Sequence, residues 1–467
     1  MFYKIKSLCL FFILLTFINR ADSQVAGAWS GNLDAMGSLL KIKVVFSEKE
    51  GLYSGNIDIP QQNALGLRLS NISFAEPFIN FELEAGPGNI AKFNGELKDS
   101  IITGKFSQMG IEGKFDLKRV LAGETILTNK GFHEEEVYFI NRSVKLGGTL
   151  TLPDTLNKYP AIILVSGSGA QTRDEEIFDF PIFKTMAEYL TLKGFAVLRY
   201  DDRGIGESTG KISESTLNDF ADDVISAVKF LSERKDINAK QIGIMGHSEG
   251  GIVASLAAEK SKDVSYIILL AAPGTDGSSL IIEQTKNILK VSGAPDSLIK
   301  AEIKKALVIH NTVIKDEGWD KLRIELFEQA KERFEKAPST QTSSIENKEI
   351  FIANMVENQI EGYKSKWLKS FLSTNPQTVM NKVTCPVLAL FGDKDSQVNA
   401  ATNSKNIISA LKKAKNKNYE IKIFPNANHL FQQAKTGLPN EYQKLKKEFI
   451  PGFLEYITKW LTKTTAK

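Results

Sequence analysis

Only two cysteines occur in 467 residues, and Cys9 lies inside an apolar run at the start of the chain. With that run removed, Cys385 is the single thiol, no internal disulfide can form, and the core alone must hold the fold. Cys385 precedes Pro386 at the start of an apolar segment, a setting for packing rather than chemistry. Histidine is scarce too, with four in all. Zinc and nucleotide patterns are missing, so no metal and no other cofactor is expected. Charge of one sign is also lacking. The formal net charge is +4; leaving out Lys4, Lys6, Arg20 and Asp22 takes 59 basic and 55 acidic residues to 56 and 54, or +2. No basic tract or aromatic-interleaved patch stands out, which argues against nucleic acid as a partner.

What is present begins with Lys4 and Lys6 ahead of the apolar run Leu8 to Ile18, followed by Ala21-Asp22-Ser23 as a small-x-small cleavage site. Residues 1–23 read as a secretory signal, with the mature chain starting near Gln24 and exported to the periplasm or beyond the cell. The run is short for a full span, so no stable membrane span is expected after cleavage.

Residues 24–121 read as an all-β domain. Apolar and polar residues alternate in segments such as Leu40-Lys-Ile-Lys-Val-Val-Phe46 and Ile79-Asn-Phe-Glu-Leu83, separated by turns rich in Gly, Asn and Asp. Trp29 is expected to fill the end of a small barrel or sandwich. The segments Glu135–Ile140 and Val144–Leu152 flank a short turn and read as an antiparallel edge hairpin of the next domain, with the boundary near residue 122. From Tyr159 onward strands and helices alternate: Ala161 to Val165, Phe183 to Lys193, Ala196 to Tyr200, and amphipathic Leu217 to Arg234. This predicts an α/β sheet with mostly parallel strands. The core is expected over 122–272 and 378–467, interrupted by a helical cap over 273–377. The cap contains helices over Asp296 to Lys315 and Trp319 to Lys336 and a polar break from Pro338 to Glu346. A closing helix is expected from Lys446 to Lys463.

The chain turns on Gly246-His247-Ser248-Glu249-Gly250, a G-x-S-x-G pentapeptide between the apolar run Ile242 to Met245 and a helix-forming run from Gly251. Reversal from strand to helix in so few residues strains the serine and exposes its Oγ, with the Glu249 N–H aimed at the same point. The pattern is weak alone, since chance supplies it in roughly one such chain in six. Gly206-Glu207-Ser208-Thr209-Gly210 also matches, but polar loops flank it, so Ser208 is set aside.

A serine nucleophile needs a base, and the base an acid to orient it. His247 is inside the turn and expected to point away from Ser248; His133 is between domains and His310 on a cap helix. His429 alone sits in a loop after the last strand, in the order serine, acid, histidine. The acid is sought after the preceding strand, in Gly392-Asp393-Lys394-Asp395, where the turn carries Asp395 past the strand end and leaves Asp393 to tie the turn. The two N–H donors for an oxyanion are assigned to Glu249 and Ser168, the latter in Ser166-Gly167-Ser168-Gly169, with Gly169 possible.

In this order, Gly246-His-Ser248-Glu-Gly-Gly, Asp202-Arg-Gly-Ile-Gly-Glu-Ser208, Gly392-Asp-Lys-Asp395 and His429 resemble an α/β-hydrolase-fold serine hydrolase, from about residue 122 to the end. The chain is similar to bacterial esterases that carry an N-terminal β-domain, and to the serine aminopeptidase and prolyl oligopeptidase relatives. The resemblance implies that Asp202 and Arg203 brace a loop. Ser166 stands where many lipases have a histidine. The expected activity is cleavage of small carboxylic esters through an acyl-enzyme. An aminopeptidase or dipeptidyl peptidase acting on short peptides is the alternative, with Glu175 and Glu176 as candidates to grip a free amine. A non-catalytic envelope binding protein is the third reading.

Overall fold

A computed structural model describes residues 25–35, 38–49, 51–59, 64–84, 89–119, 131–154, 157–336, 345 and 347–466. The signal-like run, the boundary near residue 122 and most of the polar break after Pro338 lie outside the described residues.

Alternation in the first part closes into an eight-stranded antiparallel barrel, β1 (Gly27–Ala35) to β8 (Ile111–Arg119), in simple meander order. Closure comes from pairing of β1 with β8, which leaves no free edge. Every second side chain points inward, and Phe46, Phe81, Phe93 and Phe115 form one aromatic cluster, Phe81 and Phe93 stacked at 4.6 Å. Trp29 is buried at 1% exposure, its indole N–H donating to Val25 O at 2.9 Å. Arg119 lies over its ring.

The second part is one eight-stranded sheet, in the order Tyr419–Phe424, Val387–Gly392, Tyr266–Leu270, Ile237–His247, Tyr159–Val165, Ala196–Tyr200, Val144–Leu152 and His133–Asn141, with a separate ribbon of β12 (Glu176–Ile177) and β13 (Phe180–Pro181). The hairpin β9 (His133–Asn141) and β10 (Val144–Leu152) is its antiparallel edge. The strands β11 (Tyr159–Val165), β14 (Ala196–Tyr200), β15 (Ile237–His247), β16 (Tyr266–Leu270), β17 (Val387–Gly392) and β18 (Tyr419–Phe424) pair in parallel. The apolar runs of β11, β16 and β17 follow from burial on both faces, whereas the edge strand β18 is mostly half-buried. One face packs on α2 (Leu217–Ser232) and α3 (Glu249–Lys260), the other on α1 (Ile182–Leu192) and the C-terminal helix. All carboxyl ends of the parallel strands therefore open on one edge, where ligands bind in such sheets.

Between β16 and β17 the chain is helical: α4 (Gly277–Val291), α5 (Asp296–Lys315), α6 (Trp319–Lys336), then Lys348–Tyr363 and Lys366–Ser373. The apolar spacing finds α5 and α6 with these bounds and does not find α4. The last helix is shorter than expected: it runs over Phe453–Thr465, not from Lys446. Pro451-Gly452 breaks the helical path, and Ile450 N–H donates instead to Phe431 O at 2.7 Å, drawing this stretch onto the core. No helix among the described residues is long and apolar enough to cross a membrane.

Candidate active site

The turn from β15 into α3 has the geometry its glycines predict. Ser248 adopts φ 52° and ψ −119°, a conformation that side-chain-bearing residues rarely adopt, and α3 begins at Glu249. A Cβ on Gly246 would lie 2.1 Å from Gly250 O, and one on Gly250 2.2 Å from Val165 O. Only glycine permits the strand, turn and helix to pass this closely. The turn is anchored by Ser248 N–H donating to Leu270 O at 2.8 Å.

Asp395 lies three residues past β17 and is buried, its Oδ1 accepting from the N–H groups of Gln397 (2.8 Å) and Val398 (2.9 Å). Oδ2 takes His429 Nδ1 at 2.7 Å. Asp393 does something else, accepting from Asn426 N–H to tie the turn. His429, 4% exposed, is carried by a loop after β18 that Asn428 organises, its Oδ1 accepting from Leu430 N–H and Gln432 N–H. Ser248 and His429 line one cavity of about 230 Å³, with Ser168, Phe178, Leu430 and Tyr442 among its walls. No hydrogen bond joins the serine hydroxyl to the imidazole among the described residues. Such contacts are often long without substrate and tighten on binding.

The loop that carries Ser168 follows β11, beside β15 in the sheet. Its Gly167 N–H is taken by Glu175 Oε1 at 2.7 Å. Neither the Ser168 N–H nor the Glu249 N–H donates to an acceptor among the described residues, so both assigned donors are free for a ligand. Asp202 braces the loop, accepting from Ser166 Oγ (2.7 Å) and Gln171 N–H (2.9 Å), while Arg203 is paired with buried Asp223. The Glu249 side chain faces the cap, where Trp367 Nε1 donates to both its oxygens at 3.1 Å. Burial pushes its carboxyl up to about 7, the indole hydrogen bond opposing. Ser208 is wholly structural: its hydroxyl donates to Asp201 O and accepts from Gly147 N–H.

Residues 181–433, more than half of the chain, match the family model described as serine aminopeptidase, S33. The chain belongs to this family. It is an α/β-hydrolase-fold serine hydrolase, as the strand order and the strained Ser248 turn require. This S33-family chain is 24% identical over 385 residues to esterase EstD of Thermotoga maritima, an overlap of 82% of this chain and 79% of EstD. An overlap of that length must include part of the barrel. It is also similar, at 25% identity over 39% of its length and 56% of the relative's, to an acyl transferase of Photorhabdus luminescens. Among solved structures, the Pyrococcus furiosus esterase Pf2001 aligns over 73% of this chain and 96% of its own, with 16% identity and a TM-score of 0.43.

Three of the expectations from sequence need correction at this site. His247, expected to point away from Ser248, lines the same cavity, with its ring centroid 4.8 Å from that of His429. Glu175 is fully buried, one oxygen engaged by Gly167 and His247. Glu176 is paired with Lys43 of the barrel. Neither glutamate is free to grip an amine. No sequence signal marks Glu175 and His247 as partners, because the pairing of β11 with β15 brings them together.

Proposed function

We propose that this chain is an exported serine esterase that cleaves small carboxylic esters through an acyl-enzyme on Ser248, His429 and Asp395. The observation that carries the reading is the 2.7 Å contact of His429 Nδ1 with Asp395 Oδ2, in a ring that shares its cavity with Ser248. Asp395 accepts from Nδ1–H, which fixes the tautomer and leaves the Nε2 lone pair for the serine proton. As Ser248 Oγ attacks the ester carbonyl, the Glu249 and Ser168 N–H groups receive the developing oxyanion. The imidazolium then protonates the leaving alcohol. Water, deprotonated by the same ring, resolves the acyl-enzyme.

Esters are favoured over peptides because the cavity offers no accessible carboxylate for a terminal ammonium: its one acid, Glu175, is sealed. A cavity of about 230 Å³ suits a short acyl group. The test is Ser248→Ala on short p-nitrophenyl esters, expected to lower kcat by on the order of 10⁴-fold or more with the fold intact. Unchanged turnover removes the proposal. Faster cleavage of aminoacyl p-nitroanilides than of esters by the wild type returns the peptidase reading, and failure of a fluorophosphonate to label Ser248 returns the binding-protein reading. Export is supported by the basic, apolar and small-residue succession over residues 1–23, and N-terminal sequencing of the secreted protein should begin near Gln24.

A further inference from the structure

Glu175 and His247 lie outside the three side chains of the proposed mechanism, yet between them they touch the loop of Ser168 and the backbone of His429. Glu175 sits on the segment between β11 and α1, in a left-handed conformation (φ 43°), its N–H donating to Thr172 O at 2.9 Å. Its Oε1 accepts from Gly167 N–H in the loop that presents Ser168, and the same oxygen meets His247 Nδ1 at 2.8 Å. The other ring nitrogen, His247 Nε2, faces His429 O at 3.1 Å.

A carbonyl oxygen can only accept, so Nε2 carries a proton, and the carboxylate oxygen takes a second proton from Nδ1. With Glu175 ionised the ring is an imidazolium held in an ion pair, and both members are under 4% exposed. Burial disfavours the charged ring, but the charge and hydrogen bond of Glu175 and the His429 carbonyl outweigh it, and the His247 pKa is raised. Buried pairs of this kind give direction more than stability. The remaining oxygen, Glu175 Oε2, is buried without a hydrogen-bond partner, and both residues line the cavity that Ser248 and His429 share.

We infer that Glu175 and His247 are positioning residues: one ion pair ties the oxyanion loop, through Gly167, and the base loop, through the His429 carbonyl, to the residue preceding the nucleophile. The inference rests on the esterase reading and concerns how its parts are kept in register. Misplacement of reacting groups by about 1 Å costs roughly 10²-fold in rate, and nothing else in the site links all three segments through two side chains.

Glu175→Gln keeps the shape and removes the charge; His247→Asn keeps a donor toward Glu175 and cannot reach the His429 carbonyl. Each single variant is expected to lower kcat on p-nitrophenyl acetate by roughly 10- to 100-fold. KM should stay within about threefold, because uniform binding is not removed. Phosphonylation of Ser248 by a fluorophosphonate should slow in parallel. The double variant should be no more than about threefold worse than the worse single, since both act through one link. Singles with wild-type kcat, losses confined to KM or thermal stability, or losses that multiply in the double overturn the assignment. Where one variant does not fold, the kcat and KM of the other decide. A wild type that neither turns over ester nor labels at Ser248 removes the esterase reading as well, whereas an active wild type with unimpaired variants removes only the role of the pair.

Discussion

Asp395 has two duties that its oxygens divide. Oδ1 is held by two backbone N–H groups and Oδ2 by the His429 ring. Asp395→Asn keeps the shape but can offer an N–H where the ring needs an acceptor, which favours the wrong imidazole tautomer. It should lower kcat on short esters by roughly 10⁴-fold, while circular dichroism and the thermal transition stay near wild type. A loss of less than about tenfold would mean that another group orients the ring. Asp395 meets the imidazole and Asp393 ties the turn, as their places three and one residues past the strand allow. The Glu175–His247 contact was not legible: 72 positions separate the two residues, and neighbouring strands join them.

At the level of elements, the cap helix Lys366–Ser373 holds the core through Trp367, and Ser370 Oγ accepts from Leu217 N–H at the start of α2. Trp367 meets Glu249, whose N–H is an oxyanion donor in the proposed mechanism, so cap and site share a residue. The Glu249 carboxyl titrates near 7 when folded against an ordinary 4.5. Between those values the folded state binds the extra proton, so stability is greatest below about pH 4.5 and falls as pH rises to about 7. The size follows from ~1.4 kcal/mol per unit, or ~3 kcal/mol across the window. Glu249→Gln keeps an acceptor for the indole and should flatten this dependence, leaving the protein ~2–3 kcal/mol more stable than wild type at pH 8. Urea unfolding at pH 5 and pH 8 measures the difference; a variant no more stable than wild type at pH 8 counts against a buried, titrating carboxyl. Most elements were legible from periodicity and length. The closing helix was misread because Pro451-Gly452 breaks the helical path, while Phe449 and Ile450 pack on the core through contacts that amphipathic spacing does not encode.

For the molecule as a whole, the barrel and the hydrolase sheet each bury their own core. The contacts between them include Lys43 with Glu176 and Asp179, Arg68 with the carbonyls of Gly206 and Ser208, a backbone bridge of Ala64 with Ala170, and close packing of Gly66 on Ile205. Half-exposed ion pairs of this type are worth ~0–1 kcal/mol each. Residues 25–119 expressed alone are therefore predicted to fold, with an antiparallel β circular dichroism spectrum and one cooperative thermal transition. A random-coil spectrum would show that the barrel needs the hydrolase sheet.

By itself the sequence determined the class of fold, the strained serine turn and the chain order of Ser248, Asp395 and His429. Those depend on short-range features: which positions lack a Cβ, which alternate, and which residues follow a strand. Tertiary structure alone decided that the barrel closes, that Glu175 is sealed rather than open to an amine, and that His247 joins two loops of the site. The physical reason is that a side chain's partners depend on strand neighbours and burial, and both exist only once distant segments have packed together.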